Sequence, residues 1–175
     1  MLSDFRLWVC NFIIGYIPFH LIRLSYYKYI MGFRIGKGSS IHLGTKFNCS
    51  KNLIIGNNCT INQYCRLDNR GGIFIKDNVS ISPYVKIITA DHDINTKSLD
   101  GRNTNVFIED YSFLGADCLV LGGVNIAKGT VIGARALVIK STEDFGIYYG
   151  VPATIKGKRD RNTIDYNASY KRWFL

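Results

Sequence analysis

The chain has no C-x-x-C pair, only three histidines, and no apolar run long enough to cross a bilayer. Each shortage excludes a class of protein. The five cysteines, Cys10, Cys49, Cys59, Cys65 and Cys118, are odd in number and are not spaced like metal or redox pairs. Reduced thiols in a cytoplasmic protein are therefore expected. The apolar stretch from Trp8 to Ile17 is too short to span a membrane and runs into Pro18, His20 and Arg23. It carries no small-residue cleavage pattern, so neither a transmembrane helix nor a signal peptide is read there. Acidic residues are also scarce: 13 Asp and Glu face 22 Lys and Arg, for a net charge of +9. That balance favours an anionic partner, whether a phosphorylated cofactor, an acidic membrane surface or nucleic acid. The basic residues are dispersed and no nucleic-acid module is recognisable, so nucleic acid is not the expected partner.

What is present is a repeat. The 175 residues suit one domain, and 47% hydrophobic with 20% charged residues excludes a disordered, collagen-like or disulfide-stapled chain. Aliphatic or aromatic anchors recur every six residues at Ile35, Ile41 and Phe47, then Ile55, Ile61, Leu67 and Ile73, then Ile75, Ile81 and Ile87. After an interruption the series resumes at Ile108, Leu114, Val120, Ile126, Ile132 and Val138. A second column of small or β-branched residues lies four places after most anchors, among them Ser39, Thr45, Cys59, Cys65, Val79, Val85, Ser112, Cys118, Thr130 and Ala136.

Six residues hold one short strand and one tight turn, and strand side chains alternate in direction, so both columns are predicted to face one interior. Asn57, Asn58 and Asn78, with Gly36, Gly56, Gly115 and Gly133, supply residues that tolerate corner backbone. A single turn of such a coil cannot bury its apolar face, so the turns must stack into an all-β solenoid. The spacing does not reveal the hand of the coil.

The hexapeptide columns, the interruption containing Asp91-His92-Asp93, and the closing Gly150-Val151-Pro152-Ala153 together resemble the hexapeptide-repeat O-acetyltransferases. That group includes galactoside, maltose and capsular-polysaccharide acetyltransferases. The resemblance covers about residues 35 to 158 and implies a left-handed parallel β-helix, a homotrimer, and acetyl-CoA bound in clefts between subunits. The implied reaction is acetyl transfer to a hydroxyl of a sugar or surface-polysaccharide precursor. N-acetylation of an amino sugar is the alternative, and a non-catalytic scaffold in a polysaccharide assembly complex is the reading from another class.

The longest break in the repeat, a loop over residues 89–105, carries His92, the candidate general base. Imidazole titrates near neutral pH and can take the proton of a weakly nucleophilic hydroxyl as it attacks a thioester. Asp93 or Asp91 is expected to hold the ring's tautomer, with Asp93 preferred for that role and Asp91 as an acceptor-binding residue. The resemblance aligns Asn62 with acceptor contacts. It aligns Phe113, Gly115 and Ala116 with the thioester end of the cofactor, the Ala116 N–H being the donor, and Gly133, Ala134 and Arg135 with pantetheine. Arg135, Lys140, Lys156 and Lys158 are expected near its phosphates, and Pro152 near its adenine. No cysteine has the neighbours of a nucleophile, and no metal is expected. A γ-type carbonic anhydrase on this fold needs three imidazoles around zinc, which the spacing of His20, His42 and His92 does not provide.

Residues 1–34 depart from the repeat and mix Phe5, Trp8, Phe12, Tyr16, Phe19, Tyr26, Tyr27 and Tyr29 with Arg6, Arg23, Lys28 and Arg34. Two short helices broken near Pro18 are predicted, either capping the solenoid or lying at the inner face of the cytoplasmic membrane. Residues 159–175 are read as an irregular tail containing Tyr166, Tyr170, Trp173 and Phe174.

Overall fold

A computed structural model describes residues 1–170; Lys171, Arg172, Trp173 and Phe174 of the tail lie outside the described residues. From Arg34 to Val138 the chain winds through five rungs, each laying one short strand on each of three parallel sheets. The coil is left-handed. The first face stacks Arg34–Ile35, Leu53–Ile55, Ile73–Ile75, Val106–Ile108 and Asn125–Ile126. The second begins at Ser40–Ile41 and the third at Lys46–Phe47. Gly146–Tyr149 adds a sixth strand to the second face, and Thr154–Lys158 turns back antiparallel against it.

Register explains the resets in the hexapeptide frame. Arg34 pairs with Ile54 and Ile54 with Phe74, twenty residues per rung, whereas Phe107 pairs with Asn125 and Phe113 with Val131, eighteen per rung. The last rungs are three hexads each. The early ones carry two extra residues on the edge between the third and first faces, called here the hairpin edge. On that same edge the loop at 89–105 leaves the coil. The opposite turn, from second to third face, never lengthens and is called the tight edge.

Both predicted columns point inward. Ile41, Ile61, Leu67, Ile73, Ile81, Ile87, Ile108, Leu114, Val120, Ile126 and Ile132 are fully buried, and so are Thr45, Val79, Val85, Ser112, Cys118 and Thr130. Large anchors therefore alternate with small fillers around each rung, which lets the rungs interdigitate at crystal-like density. The cysteines serve as such fillers: burial pushes the Cys59 thiol up to about 11 and those of Cys10, Cys65 and Cys118 to about 12. Such thiols are neutral at physiological pH and cannot act as nucleophiles.

The tight edge requires left-handed backbone in every rung, at Gly44, Tyr64, Tyr84, Asp117 and Arg135. The Tyr64 and Tyr84 rings stack on one another along it with centroids 5.5 Å apart. Beside Arg135, Gly133 is buried under the next rung: a Cβ there would lie 1.9 Å from the Tyr149 ring.

Two helices, Leu2–Phe12 and His20–Ser25, precede the coil, with Pro18 between them and a single π-helical turn following. They cap the first rung. Cys10, Tyr27, Met31 and Phe33 join the core, and Asn11 pairs with the exposed strand edge, donating to the Phe47 carbonyl and accepting from its N–H. The outer surface of this cap is apolar, with Leu2, Phe5, Trp8, Phe12, Phe19 and Leu21 more than half exposed. At the other terminus the tail runs back across the second face. Arg159 and Tyr166 both donate to the Tyr111 carbonyl, and Thr60 donates to the Ala168 carbonyl.

Leu67→Ala should destabilise the fold by about 2–5 kcal/mol, the cost of a core truncation plus its cavity, read from the denaturant midpoint. In the native protein Cys10, Cys59, Cys65 and Cys118 should stay unreactive toward a thiol reagent under conditions that label all five cysteines once the chain is unfolded.

Candidate active site

The interruption at 89–105 is a β-hairpin rather than an irregular loop. Ala90–His92 pairs antiparallel with Gly101–Asn103, and His92 sits opposite Gly101. Its root is closed by glycine. Gly71 lies so close to the hairpin that a Cβ would fall 2.5 Å from the Thr104 carbonyl, and its N–H donates to Thr89 Oγ1 at 2.8 Å. Val106 N–H then donates to the Gly72 carbonyl as the chain re-enters the coil.

His92 is exposed at the end of the hairpin's first strand, and its Nδ1 lies 2.8 Å from the Leu99 carbonyl. A carbonyl can only accept, so Nδ1 carries the proton, and in the neutral ring the lone pair is on Nε2. The expected carboxylate partner is thus replaced by a backbone oxygen. Asp93 is used locally instead, its Oδ1 accepting the Asn95 N–H at 2.9 Å to fold the turn. Asp91 faces Arg102 across the hairpin in a bidentate pair at 2.7 and 2.9 Å, and that guanidinium holds its carboxyl below the usual carboxylate range. Both groups are exposed, so the pair orders the hairpin more than it stabilises the fold.

The turn that aims the Leu99 carbonyl is densely bonded. Asp93 N–H donates to the Asp100 carbonyl, Asp100 N–H to Thr96 Oγ1 and Leu99 N–H to the Thr96 carbonyl, while Leu99 itself is held at φ +50°. A non-glycine residue in that region costs about 1–3 kcal/mol and persists only when its surroundings over-determine it. Sequence reasoning missed Leu99 and Arg102. A backbone acceptor leaves no mark in a sequence, and Arg102 becomes legible only once the hairpin register is known.

The other candidates lie elsewhere on the prism. Asn62, Gly115, Ala116, Gly133, Ala134 and Arg135 all occupy the tight edge, whereas His92, Asp91 and Asp93 project from the hairpin edge. Phe113 points outward from the second face beside the tight edge. Asn62 donates its Nδ2 to the Ile81 carbonyl at 2.9 Å, leaving its Oδ1 for a ligand. Gly115 and Gly133 are buried, each packed closely against the next rung. Ala116 and Ala134 are the exposed members, and among the described residues their N–H groups make no hydrogen bond. Two free donors one rung apart on an exposed edge fit an extended, carbonyl-bearing ligand such as pantetheine.

Arg135 is highly exposed, 3.6 Å from Asp117, which also takes Lys86. Lys140 and Lys156 are exposed, and Lys158 is occupied by Glu143 at 2.8 Å. Pro152 is exposed in the loop that folds back so that Ala153 N–H meets the Leu137 carbonyl. No cluster of three metal-ligating side chains occurs among the described residues.

These features define a left-handed hexapeptide-repeat protein with a histidine-bearing hairpin. No family model matches the chain. A galactoside O-acetyltransferase of Lactococcus lactis is 33% identical over 135 residues, covering 74% of this chain and 59% of that protein, so the chain spans about three fifths of the length of that curated relative. A dTDP-4-amino-4,6-dideoxy-D-glucose acyltransferase of Escherichia coli is 27% identical over 81% of this chain and 90% of its own. Among solved structures, a hexapeptide-repeat acetyltransferase of Vibrio cholerae with acetyl-CoA superposes with a TM-score of 0.82 at 21% identity, covering 89% of this chain and 86% of that one. A galactoside acetyltransferase with coenzyme A gives 0.80 at 21% identity, covering 98% and 85%. In sequence and in fold the chain is a relative of the hexapeptide-repeat acetyltransferases.

If Leu99 fixes the ring, ¹⁵N NMR of neutral His92 should show Nδ1 as the protonated nitrogen. A mixture of tautomers would mean that the Leu99 contact does not persist in solution.

Proposed function

We propose that this protein is an acetyl-CoA-dependent acyltransferase that acetylates a sugar hydroxyl by direct attack, with His92 as general base. The observation that carries the reading is the pairing of two unfinished halves: an exposed imidazole whose lone pair is on Nε2 on one edge, and free amide donors on another.

The thioester of acetyl-CoA supplies the activated acyl group. His92 Nε2 takes the acceptor's hydroxyl proton as the oxygen bonds to the acyl carbon, and the Leu99 carbonyl continues to accept from Nδ1 while the ring is cationic. The Ala116 N–H meets the developing oxyanion. As the C–S bond breaks, the imidazolium returns its proton to the departing thiolate, so no acyl-enzyme forms. The buried, neutral cysteines agree with this. An amino sugar is the second acceptor class, favoured by the similarity to an acyltransferase named for a dTDP-amino sugar.

One chain carries its two halves on different edges, so the hairpin of one copy must meet the tight edge of another. A homotrimer with three composite sites satisfies that requirement. The aromatic outer face of the N-terminal cap suits the headgroup region of a membrane, on the cytoplasmic side where acetyl-CoA is made. No helix among the described residues is long and apolar enough to cross a membrane.

His92→Ala should lower kcat about 10² to 10⁴-fold with acetyl-CoA binding retained. Ala116→Pro removes the amide donor at a corner where Pro83 already sits one rung earlier, and should cost about 10² to 10³ in kcat. Co-expression of the two inactive variants should restore part of the activity, because mixed assemblies contain sites with both halves intact. Restoration would fail if each site were built within one chain. Trp8→Glu with Phe12→Glu should abolish co-flotation with anionic vesicles without lowering activity on a soluble acceptor.

A further inference from the structure

A pocket of about 680 Å³ opens on the first face at the hairpin edge, spanning the first three rungs. Arg34 and Lys51 line it, Ile54 and Phe74 form an apolar floor, and Gly72 and Asn105 form the wall shared with the hairpin root. Among the described residues no carboxylate lines it, and neither of the two exposed cations makes an ion pair. The neighbouring Arg70 is occupied by Asp68 at 2.7 Å. The Phe74 ring is backed by Phe107, stacked at 4.9 Å between centroids, which fixes the floor as a flat surface.

The location matters as much as the lining. The amide donors of Ala116 and Ala134 belong to the fourth and fifth rungs, and the hairpin leaves between the third and fourth. The pocket lies on the N-terminal side of the hairpin along the coil, and the rungs of Ala116 and Ala134 lie on its C-terminal side. Asn105, its wall, is the residue through which the hairpin's return strand re-enters the coil. His92 stands three residues beyond Thr89 on the outgoing strand, about 10 Å from the root at strand rise.

Two unpaired cations without a competing carboxylate select an anion of more than one charge, and a guanidinium can bind phosphate oxygens in a bidentate fork. The flat apolar floor suits the group attached to that anion. Resting on the acyltransferase reading, we infer that the acceptor is a sugar carried as a glycosyl diphosphate, its diphosphate held by Arg34 and Lys51 and its carrier lying over Phe74. The sugar then extends from the pocket along the hairpin toward His92. The carrier can be a nucleoside or a polyprenol; the pocket chemistry is common to both.

The test uses the full chain, titrated calorimetrically with uridine diphosphate, farnesyl diphosphate and inorganic pyrophosphate, with acetyl-CoA as a separate arm. At least one of the two carrier diphosphates should bind more tightly than pyrophosphate, and binding should weaken with added salt. Arg34→Gln with Lys51→Gln should weaken it at least tenfold while leaving acetyl-CoA binding unchanged; Phe74→Ala should bring the carrier diphosphate down to the affinity of pyrophosphate. Tighter binding of uridine diphosphate identifies a nucleotide-linked acceptor, and tighter binding of farnesyl diphosphate a lipid-linked one. Both outcomes support the subsite. If no diphosphate binds while acetyl-CoA does, the subsite is overturned and the acyltransferase reading stands. Binding that survives in the double variant also overturns it. If diphosphates bind through Arg34 and Lys51 while acetyl-CoA does not, the subsite stands and the acyltransferase reading fails.

Discussion

In-register stacking of successive rungs is the constraint on which everything else in this molecule rests. A two-residue strand offers too little surface to hold itself, so each rung depends on hydrogen bonds from its neighbours and on an anchor side chain filling the same interior column. Cys59, Cys65 and Cys118 are small enough to fit between the anchors, and their buried thiols are neutral for the same reason. The ends of the column are where the constraint lapses. The N-terminal end is closed by Asn11 and Tyr27, and the C-terminal end by the antiparallel return of Thr154–Lys158.

The stacking rule also decides where chemistry can sit. Any residue inserted on a face would break a ladder, so variation collects on edges, and the three edges are not equivalent. The tight edge never changes length and presents the corner amides of Ala116 and Ala134 one rung apart, with Pro83 ending that pair on the N-terminal side. The hairpin edge absorbs two extra residues in early rungs and a complete β-hairpin after the third. One edge thus offers a pair of stacked donors and the other an exposed, individually shaped group, and in a single chain they do not meet.

Within the hairpin, geometry is set by backbone rather than by charge. Leu99 is forced into left-handed backbone by the turn from Asp93 to Asp100, and its carbonyl rather than a carboxylate fixes the His92 tautomer. The two aspartates flanking the histidine work on the scaffold, Asp93 by folding the turn and Asp91 by bracing Arg102. Their closeness to His92 in sequence suggested partnership because strand alternation is invisible until the strand is known. Residues 90–92 alternate across the hairpin, so neighbours in sequence point apart.

The hexapeptide columns by themselves determined the solenoid, its inward residues and the break that carries His92, and the aromatic stretches on either side of Pro18 marked residues 1–34 as helices outside the repeat. These are local and periodic properties, written directly in side-chain size and spacing. Family likeness added the left hand of the coil, since a period of six is compatible with either. Tertiary structure alone decided three things: the rung length, the separation of His92 from Ala116 and Ala134, and the cationic pocket that joins Arg34 and Lys51 to Phe74. Each depends on which residues lie one rung apart, a distance of eighteen, twenty or thirty-three positions along the chain. Two extra residues at one corner shift that relation, and a sequence read by its period cannot say on which edge they fall.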